Sequence, residues 1–255
     1  MQKLKELLLE KGRVCIAFSG GMDSSFLALV AKQAIPERYE TIMVNSAFMA
    51  ESEMNIARAT AQKYGLKFRE IRIDILQEPL VTDNSKERCY HCKKAIFKRL
   101  LEISEGAILC EGSVTDDDND YRPGKKALAE LRIVSPLRDC GFSKKMVAEG
   151  LEKLGAHELV RSAQSCLATR IVTDQKITLS ALQQIEQGEK ILRETGLDYF
   201  RLRHHGEVAR IETSPQNLHE ALDRILTVSD DLKKLGFKHI ALDVEGYRKG
   251  SMNRS

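Results

Sequence analysis

An apolar run, Val14-Cys15-Ile16-Ala17-Phe18, is followed at once by SGGMDSS (19–25) and then by a second apolar run from Phe26 to Ala31. No other feature limits the fold of this chain more. A buried strand and a helix separated by so few residues, two of them glycine, read as a tight β-α junction. Gly20 and Gly21 let the backbone come close to a bound group. The helix beyond points unpaired N–H groups and its positive dipole end back at the junction, which suits phosphate. Ser19, Ser24 and Ser25 add hydroxyl donors, and Asp23 adds a carboxylate suited to magnesium or a nucleotide group. This is not a Walker A loop, since no Gly-Lys-Ser/Thr follows, nor is it G-x-G-x-x-G. The plain alternative is a glycine turn with a serine helix cap.

The alternation continues downstream. A helix over 1–12, the strand 13–18, a helix over 24–34, the strand TIMVNSAF (41–48), a helix over 51–65, and the strands KFREIRIDI (67–75) and AILCEGSV (107–114) predict a parallel α/β sheet with helices on both faces. Ligand loops belong at the carboxyl ends of such strands. Ser46, at the end of the second strand, is therefore a candidate nucleotide contact. After the fourth strand comes EGSVTDDDND (111–120), where Asp116 and Asp117 are candidate magnesium ligands; the alternative is a solvated acidic loop. From 143 the pattern changes: a helix over 143–155, a loop over 157–171, a helix over 178–195, a hairpin turning at His205-Gly206, a helix over 218–236 and a last strand over 239–247. A boundary at 174/175 is expected, with 1–174 as the nucleotide domain and 175–255 as a smaller α+β domain.

Six cysteines raise the question of compartment. No apolar run approaches the ~20 residues that span a bilayer, and the N-terminus MQKLKELLLEKGR is too charged for a signal-peptide core. A cytoplasmic protein without a membrane role is expected, and its cysteines are then thiols or metal ligands rather than disulfides. Cys89 and Cys92 form C-x-x-C in KERCYHCKK, which places two thiolates on one side of a turn, among Lys86, Arg88, Lys93 and Lys94. Cys166, in the polar loop SCLATR, is a third soft donor. Three thiolates suit a [4Fe–4S] cluster with one open iron; zinc, with His91, and a purely structural pair are the competing readings. Cys15 and Cys110 lie in apolar strands and read as core, whereas Cys140 is ambiguous.

In the C-terminal part, Arg201 and Arg203 share one face of an alternating strand and form a candidate substrate-anion site with Arg170. An ordinary solvated strand face is the alternative. EGYRKGSMN near the end mixes Gly, Arg and Ser as an anion-binding turn does. A net charge of +3 is too small to argue for nucleic acid, and the absence of Trp speaks against a base-stacking surface.

SGGxDS after a first strand resembles the PP-loop of ATP pyrophosphatases, and EGSVTDDDND resembles the acidic loop of the same enzymes, with Val114 in place of its Asn. Taken with CYHCKK, DYRPG, SPLRD, SCLATRI, FRLRHHGEVARIE and EGYRKGS, in that order, the chain resembles the LarE family of ATP-dependent sulfur-insertion enzymes of nickel-pincer nucleotide synthesis. The resemblance implies a PP-loop domain with a C-terminal catalytic domain, assembled as a homohexamer and working beside other proteins of that synthesis. It implies ATP, Mg²⁺ and a pyridinium dicarboxylate mononucleotide, whose carboxylate is adenylated before sulfur replaces AMP. Asp23, Arg203 and Cys166 would be the catalytic residues. Some members give up the sulfur of one of their own cysteines. Others hold a [4Fe–4S] cluster on three cysteines, and Cys89, Cys92 and Cys166 favour that type. A PP-loop tRNA thiolase and a non-catalytic nucleotide or metal sensor are the alternatives.

Overall fold

The computed structural model describes residues 1–119, 123–162 and 164–248, and of Asp118 and Asn119 the backbone alone. The end of EGSVTDDDND at Asp120, Tyr121 and Arg122 of DYRPG, and residues 249–253 of the EGYRKGSMN stretch lie outside the described residues.

The first elements are α1 (Gln2–Lys11), β1 (Val14–Ala17), α2 (Met22–Ala34), β2 (Tyr39–Asn45), α3 (Glu51–Lys63), β3 (Phe68–Arg72) and the short α4 (Pro79–Thr82). They are followed by α5 (Arg88–Ile103), β4 (Ile108–Cys110), α6 (Gly124–Glu130), the short α7 (Pro136–Asp139) and α8 (Lys144–Lys153). The four strands form one parallel sheet in the order β3-β2-β1-β4, with Val14 opposite Tyr39 on one side and Ile108 on the other. β1 is apolar at every position because both faces of the sheet are covered. Val14 and Ile16 point to the face packed by Leu4 and Leu8 of α1, Phe26 and Leu27 of α2, Ala57 of α3 and Val147 and Leu151 of α8. Cys15 points the other way, to Phe97 and Leu100 of α5 and Leu128 of α6.

Two strands come out shorter than their apolar runs. β4 spans Ile108–Cys110 because the chain leaves the sheet at Glu111, although Val114 is still buried in the core. β3 ends at Arg72, and the following residues turn into a short 3₁₀ segment, Ile75–Gln77.

The remaining elements are α9 (Leu179–Glu194), β5 (Arg201–His205), β6 (Val208–Glu212), α10 (Leu218–Lys234) and β7 (His239–Leu242). β5 and β6 are antiparallel around Gly206-Glu207, and β7 returns parallel to β6 after α10. β7 covers only the start of its apolar run. Gly188 lets α9 lie against β5: a Cβ there would stand 2.5 Å from Leu202 Cδ1. The chain divides into two compact units, Met1–Ile75 with Cys89–Gln164, and Leu76–Arg88 with the chain from Ser165 onward. Asn84 shows why 76–88 belongs to the second unit. It is buried, its amide donates to Val172 O at 2.7 Å and Gln175 O at 3.0 Å, and Ile177 N donates to Thr82 O at 2.7 Å.

Candidate active site

β1 and its neighbours β2 and β4 run parallel, so the loops at their carboxyl ends open on one edge of the sheet. The chain turns to opposite sides after β1 and after β4, which makes the crevice between these two loops the place for a ligand. Gly20 sits there with φ +70°. A Cβ on it would lie 2.6 Å from the Cα of Ala57 on α3, so only glycine fits. Ser24 Oγ donates to Gly21 O at 3.1 Å and accepts from Ser19 N at 3.3 Å, which pins the loop across the start of α2. Gly21 N donates to Ser19 Oγ at 3.3 Å. Ser25 Oγ is buried without a partner among the described residues, and Ser46 is buried just beyond β2.

Asp23, in the first turn of α2, has two unlike oxygens. Lys144 Nζ, from the start of α8, donates to Oδ2, whereas the buried Oδ1 has no hydrogen-bond partner among the described residues. Burial raises the Asp23 pKa above its ordinary value, and the Lys144 contact opposes that rise. Asp116 and Asp117 take different places. Asp116 Oδ2 accepts from Lys144 N at 2.8 Å and so caps α8, while the buried Asp117 accepts from Val114 N at 3.1 Å. Asp117 and the buried Glu111 both act on the charge of Asp23. Glu111 accepts from Ser113 Oγ at 2.7 Å and from Ser135 Oγ. Gly112 brings the β4 loop against α2, where a Cβ would meet Ser24 N at 3.0 Å. An unpartnered carboxylate oxygen beside a glycine cradle and a lysine fits the phosphates and metal of a nucleotide.

Three side chains of this site escape sequence reading: Lys144, Arg161 and Glu53. Lys144 is 121 positions from Asp23. Arg161 forms a two-pronged pair with Glu53 at 2.9 and 3.0 Å and donates to Gly20 O at 3.3 Å. The only local signal for Lys144 is its place after the helix cap Ser143, whose Oγ accepts from Met146 N.

The C-x-x-C pair lies on a helix rather than a turn: Cys89 and Cys92 open α5 at positions three apart, which share a face. Cys89 is exposed and Cys92 half-buried. Between them Tyr90 OH donates to Glu130 at 2.8 Å, and Lys94 and Lys126 stand 5.0 and 5.1 Å from its ring centre. Cys166 is exposed on a 3₁₀ turn of the second unit, just before Leu167–Arg170. Among the described residues no three His, Cys, Asp or Glu side chains are grouped as ready metal ligands. The donor chemistry still separates these three thiols from the core pair. Burial pushes Cys15 and Cys110 up to about 12, so both stay protonated and inert.

In the second unit, Arg201, Arg203 and His205 share one face of β5, opposite Glu212, Arg210 and Val208. Arg203 is buried and paired with the fully buried Glu212, Nη2 to Oε2 at 2.7 Å. Arg170 is likewise buried and paired with Glu189 at 2.9 Å. Arg201 differs. It donates to Phe200 O, its Nε is buried without a partner, and it forms no salt bridge among the described residues. Burial and the neighbouring Arg170 charge lower its pKa. Tyr247 lies under both Arg201 and Arg203, 5.6 and 5.9 Å from their guanidinium carbons. His205 Nε2 and Thr213 Oγ1 are also buried without partners among the described residues.

Comparisons with known proteins show the family of this chain. A family model described as NAD synthase matches residues 2–99. The pyridinium-3,5-bisthiocarboxylic acid mononucleotide synthase of Lactiplantibacillus plantarum is 30% identical over 94% of this chain and 89% of its own length. An uncharacterised protein of Synechocystis sp. is 31% identical over 100% of this chain and 97% of that protein. A glutamine-hydrolysing GMP synthase component from Methanosphaerula palustris is 27% identical over 79% of this chain and 70% of its own length. The match to the L. plantarum synthase takes in nearly the whole chain, and so the chain belongs to the LarE family of PP-loop enzymes.

Proposed function

We propose that this enzyme inserts sulfur into a pyridinium dicarboxylate mononucleotide, activating one carboxylate with ATP and releasing pyrophosphate and then AMP. The observation that carries this reading is the unpartnered oxygen of Asp23, held beside the glycine loop by Lys144. A carboxylate is a poor electrophile, so a better leaving group must be attached before sulfur can enter. In the first step a substrate carboxylate oxygen attacks the α-phosphorus of ATP, and the bond to the β-phosphate bridge breaks. Backbone N–H groups at Gly20 to Met22 and the start of α2 receive the phosphates. Lys144 offsets their charge as it leaves Asp23 Oδ2. Asp23 and Asp117 would hold Mg²⁺, which when bound neutralises charge on the leaving pyrophosphate.

In the second step hydrosulfide sulfur attacks the acyl carbon, the carbon–oxygen bond to AMP breaks, and the hydrosulfide proton leaves to solvent. Arg201, which pairs with no carboxylate among the described residues, is the partner for the substrate's anionic groups. Cys89, Cys92 and Cys166 would hold a [4Fe–4S] cluster, which when bound supplies sulfide at its open iron. The donor set supports this: three thiols outside the core, two of them one helical turn apart.

The test is product analysis. Wild-type protein with ATP, Mg²⁺ and the mononucleotide should yield pyrophosphate, AMP and thiocarboxylate, and Asp23→Ala should reduce this at least 100-fold while keeping the fold. Formation of ADP and phosphate would overturn the assignment. Anaerobic reconstitution of single Cys→Ala variants separates the two sulfur sources. Loss of iron–sulfur absorption in all three supports the cluster. Full sulfur transfer in Cys89→Ala and Cys92→Ala, with loss only in Cys166→Ala, makes Cys166 a sacrificial donor.

A further inference from the structure

The segment Ser165–Arg170 is a short connection that exposes Cys166 and buries Leu167, Ala168 and Arg170. Such a segment ordinarily turns its carbonyls to water and samples several shapes. Here four of its carbonyl oxygens accept from three guanidinium groups, that of its own last residue, Arg170, and two from distant parts of the sequence, Arg88 and Arg203. Arg170 Nη1 donates to Ser165 O at 2.6 Å and to Cys166 O at 3.1 Å. Arg88 Nη1 donates to Ala168 O at 3.0 Å, and Arg203 Nη1 to Thr169 O at 2.9 Å.

Each guanidinium is itself fixed by a second partner. Glu189 takes Arg170 Nε at 2.9 Å and Nη2 at 3.2 Å, and also accepts from Leu202 N at 3.2 Å. Glu212 takes Arg203 Nε at 2.8 Å and is shared with Arg210 at 2.8 Å. Asn84 Oδ1 accepts from Arg88 Nη1, while the Asn84 amide is tied to Val172 and Gln175. Glu189 and Glu212 are both buried. Buried ion pairs add little net stability over well-packed apolar side chains, so stability is a weak reason for two of them under one turn. Planar forks anchored on buried carboxylates fix a direction, which a lysine cannot do.

We propose that Arg170, Arg203 and Arg88 are positioning residues that hold the Cys166 turn in one geometry before substrate binds. The role in sulfur transfer rests on the function proposed above; the clamp itself does not. A preset turn spares the reaction the ordering of a loop at the moment of transfer. Substitution of Arg203 then acts on the turn as well as on substrate charge, and Arg170 acts through the turn alone.

The experiment is hydrogen–deuterium exchange of the full-length chain, read on the 164–171 peptide, with melting temperature measured in parallel. In the unmutated chain the Thr169 amide, bonded to Cys166 O at 3.0 Å, should exchange as slowly as the β5 amides. Exchange at the rate of an unstructured peptide would overturn the proposal without any variant. Arg170→Lys keeps a cation beside Glu189 but loses the fork. The double variant Arg170→Met with Glu189→Met removes both buried charges and leaves neither unpaired. In either variant that melts near the wild-type temperature, exchange of this peptide should rise about tenfold with α10 unchanged; β5 is not the reference here, because Leu202 N donates to Glu189. No change would overturn the proposal. Where the wild type makes thiocarboxylate, the same variants should lower kcat and leave the KM for ATP in place. If no thiocarboxylate forms while the exchange result holds, the function fails and the clamp stands.

Discussion

Asp23 shows how one side chain can be prepared for a ligand. Its Oδ2 is occupied by Lys144, and its buried Oδ1 has no donor to accept from among the described residues. Burial raises its pKa and Lys144 lowers it. In the function proposed above the ionised form serves ATP and magnesium, so activity should fall as pH drops through the raised pKa. Removing Lys144 removes the lowering influence. Lys144→Met is therefore expected to move the acid limb of pyrophosphate release to higher pH. It should also lower kcat/KM for ATP about 10- to 100-fold, the loss of a hydrogen bond to a charged group. An acid limb that stays in place would show that Lys144 does not govern Asp23. Arg201 is the counterpart in the second unit: a half-buried cation that pairs with no carboxylate among the described residues.

At the scale of elements, the β1-α2 junction depends on a backbone shape and on a close approach, and these can be tested apart. Gly20 combines φ +70° with a clash against Ala57, whereas Gly141 has φ +83° and open space around it. Gly141→Ala should cost only the left-handed strain of about 1–2 kcal/mol. Gly20→Ala should cost more and should also abolish ATP binding by calorimetry, because α3 must move. Equal losses in the two variants would mean that the approach of α3 is unimportant. This junction is also the part most legible in the sequence, because an apolar strand, a glycine pair and an amphipathic helix are local signals. The same holds for β2, α9 and the β5-β6 hairpin, whose periodicity marks them within a few residues. What stays hidden is non-local. Nothing in LEKLGAHELVRS marks Arg161 as the residue that grips Gly20 O, and no period links Lys144 to Asp23. The C-x-x-C pair reads as a turn from its spacing, but the apolar stripe that follows carries the helix back through both cysteines.

At the scale of the whole molecule, the chain leaves its first unit at Leu76 and rejoins it at Cys89. A fragment ending at Gln164 would keep 76–88 but lose the carbonyls of Val172 and Gln175 that hold Asn84. Such a fragment should be poorly soluble when expressed alone and recover when 165–255 is co-expressed. A soluble, cooperatively folded 1–164 fragment would show that 76–88 needs no partner. The core thiols set a second global property. Cys15 and Cys110 have pKa values of about 12 against an ordinary 9.0. The unfolded chain gives up these protons first, so the stability they contribute is complete below pH 9.0 and is lost as pH rises toward about 12. Each thiol should cost about 1.4 kcal/mol per pH unit in that window. Cys15→Val should therefore lose less stability than wild type between pH 9 and 10 in urea titrations under reductant; parallel losses would refute the shift. The same division governs damage. Peroxide must reach the sulfur it oxidises, so sulfenic and sulfinic acids should form on the exposed Cys89 and Cys166 while the buried, protonated pair in the sheet stays intact. On the function proposed above, an oxidative pulse should silence the enzyme without unfolding it, and a reductant that reverses the sulfenic step should restore a scaffold that never came apart.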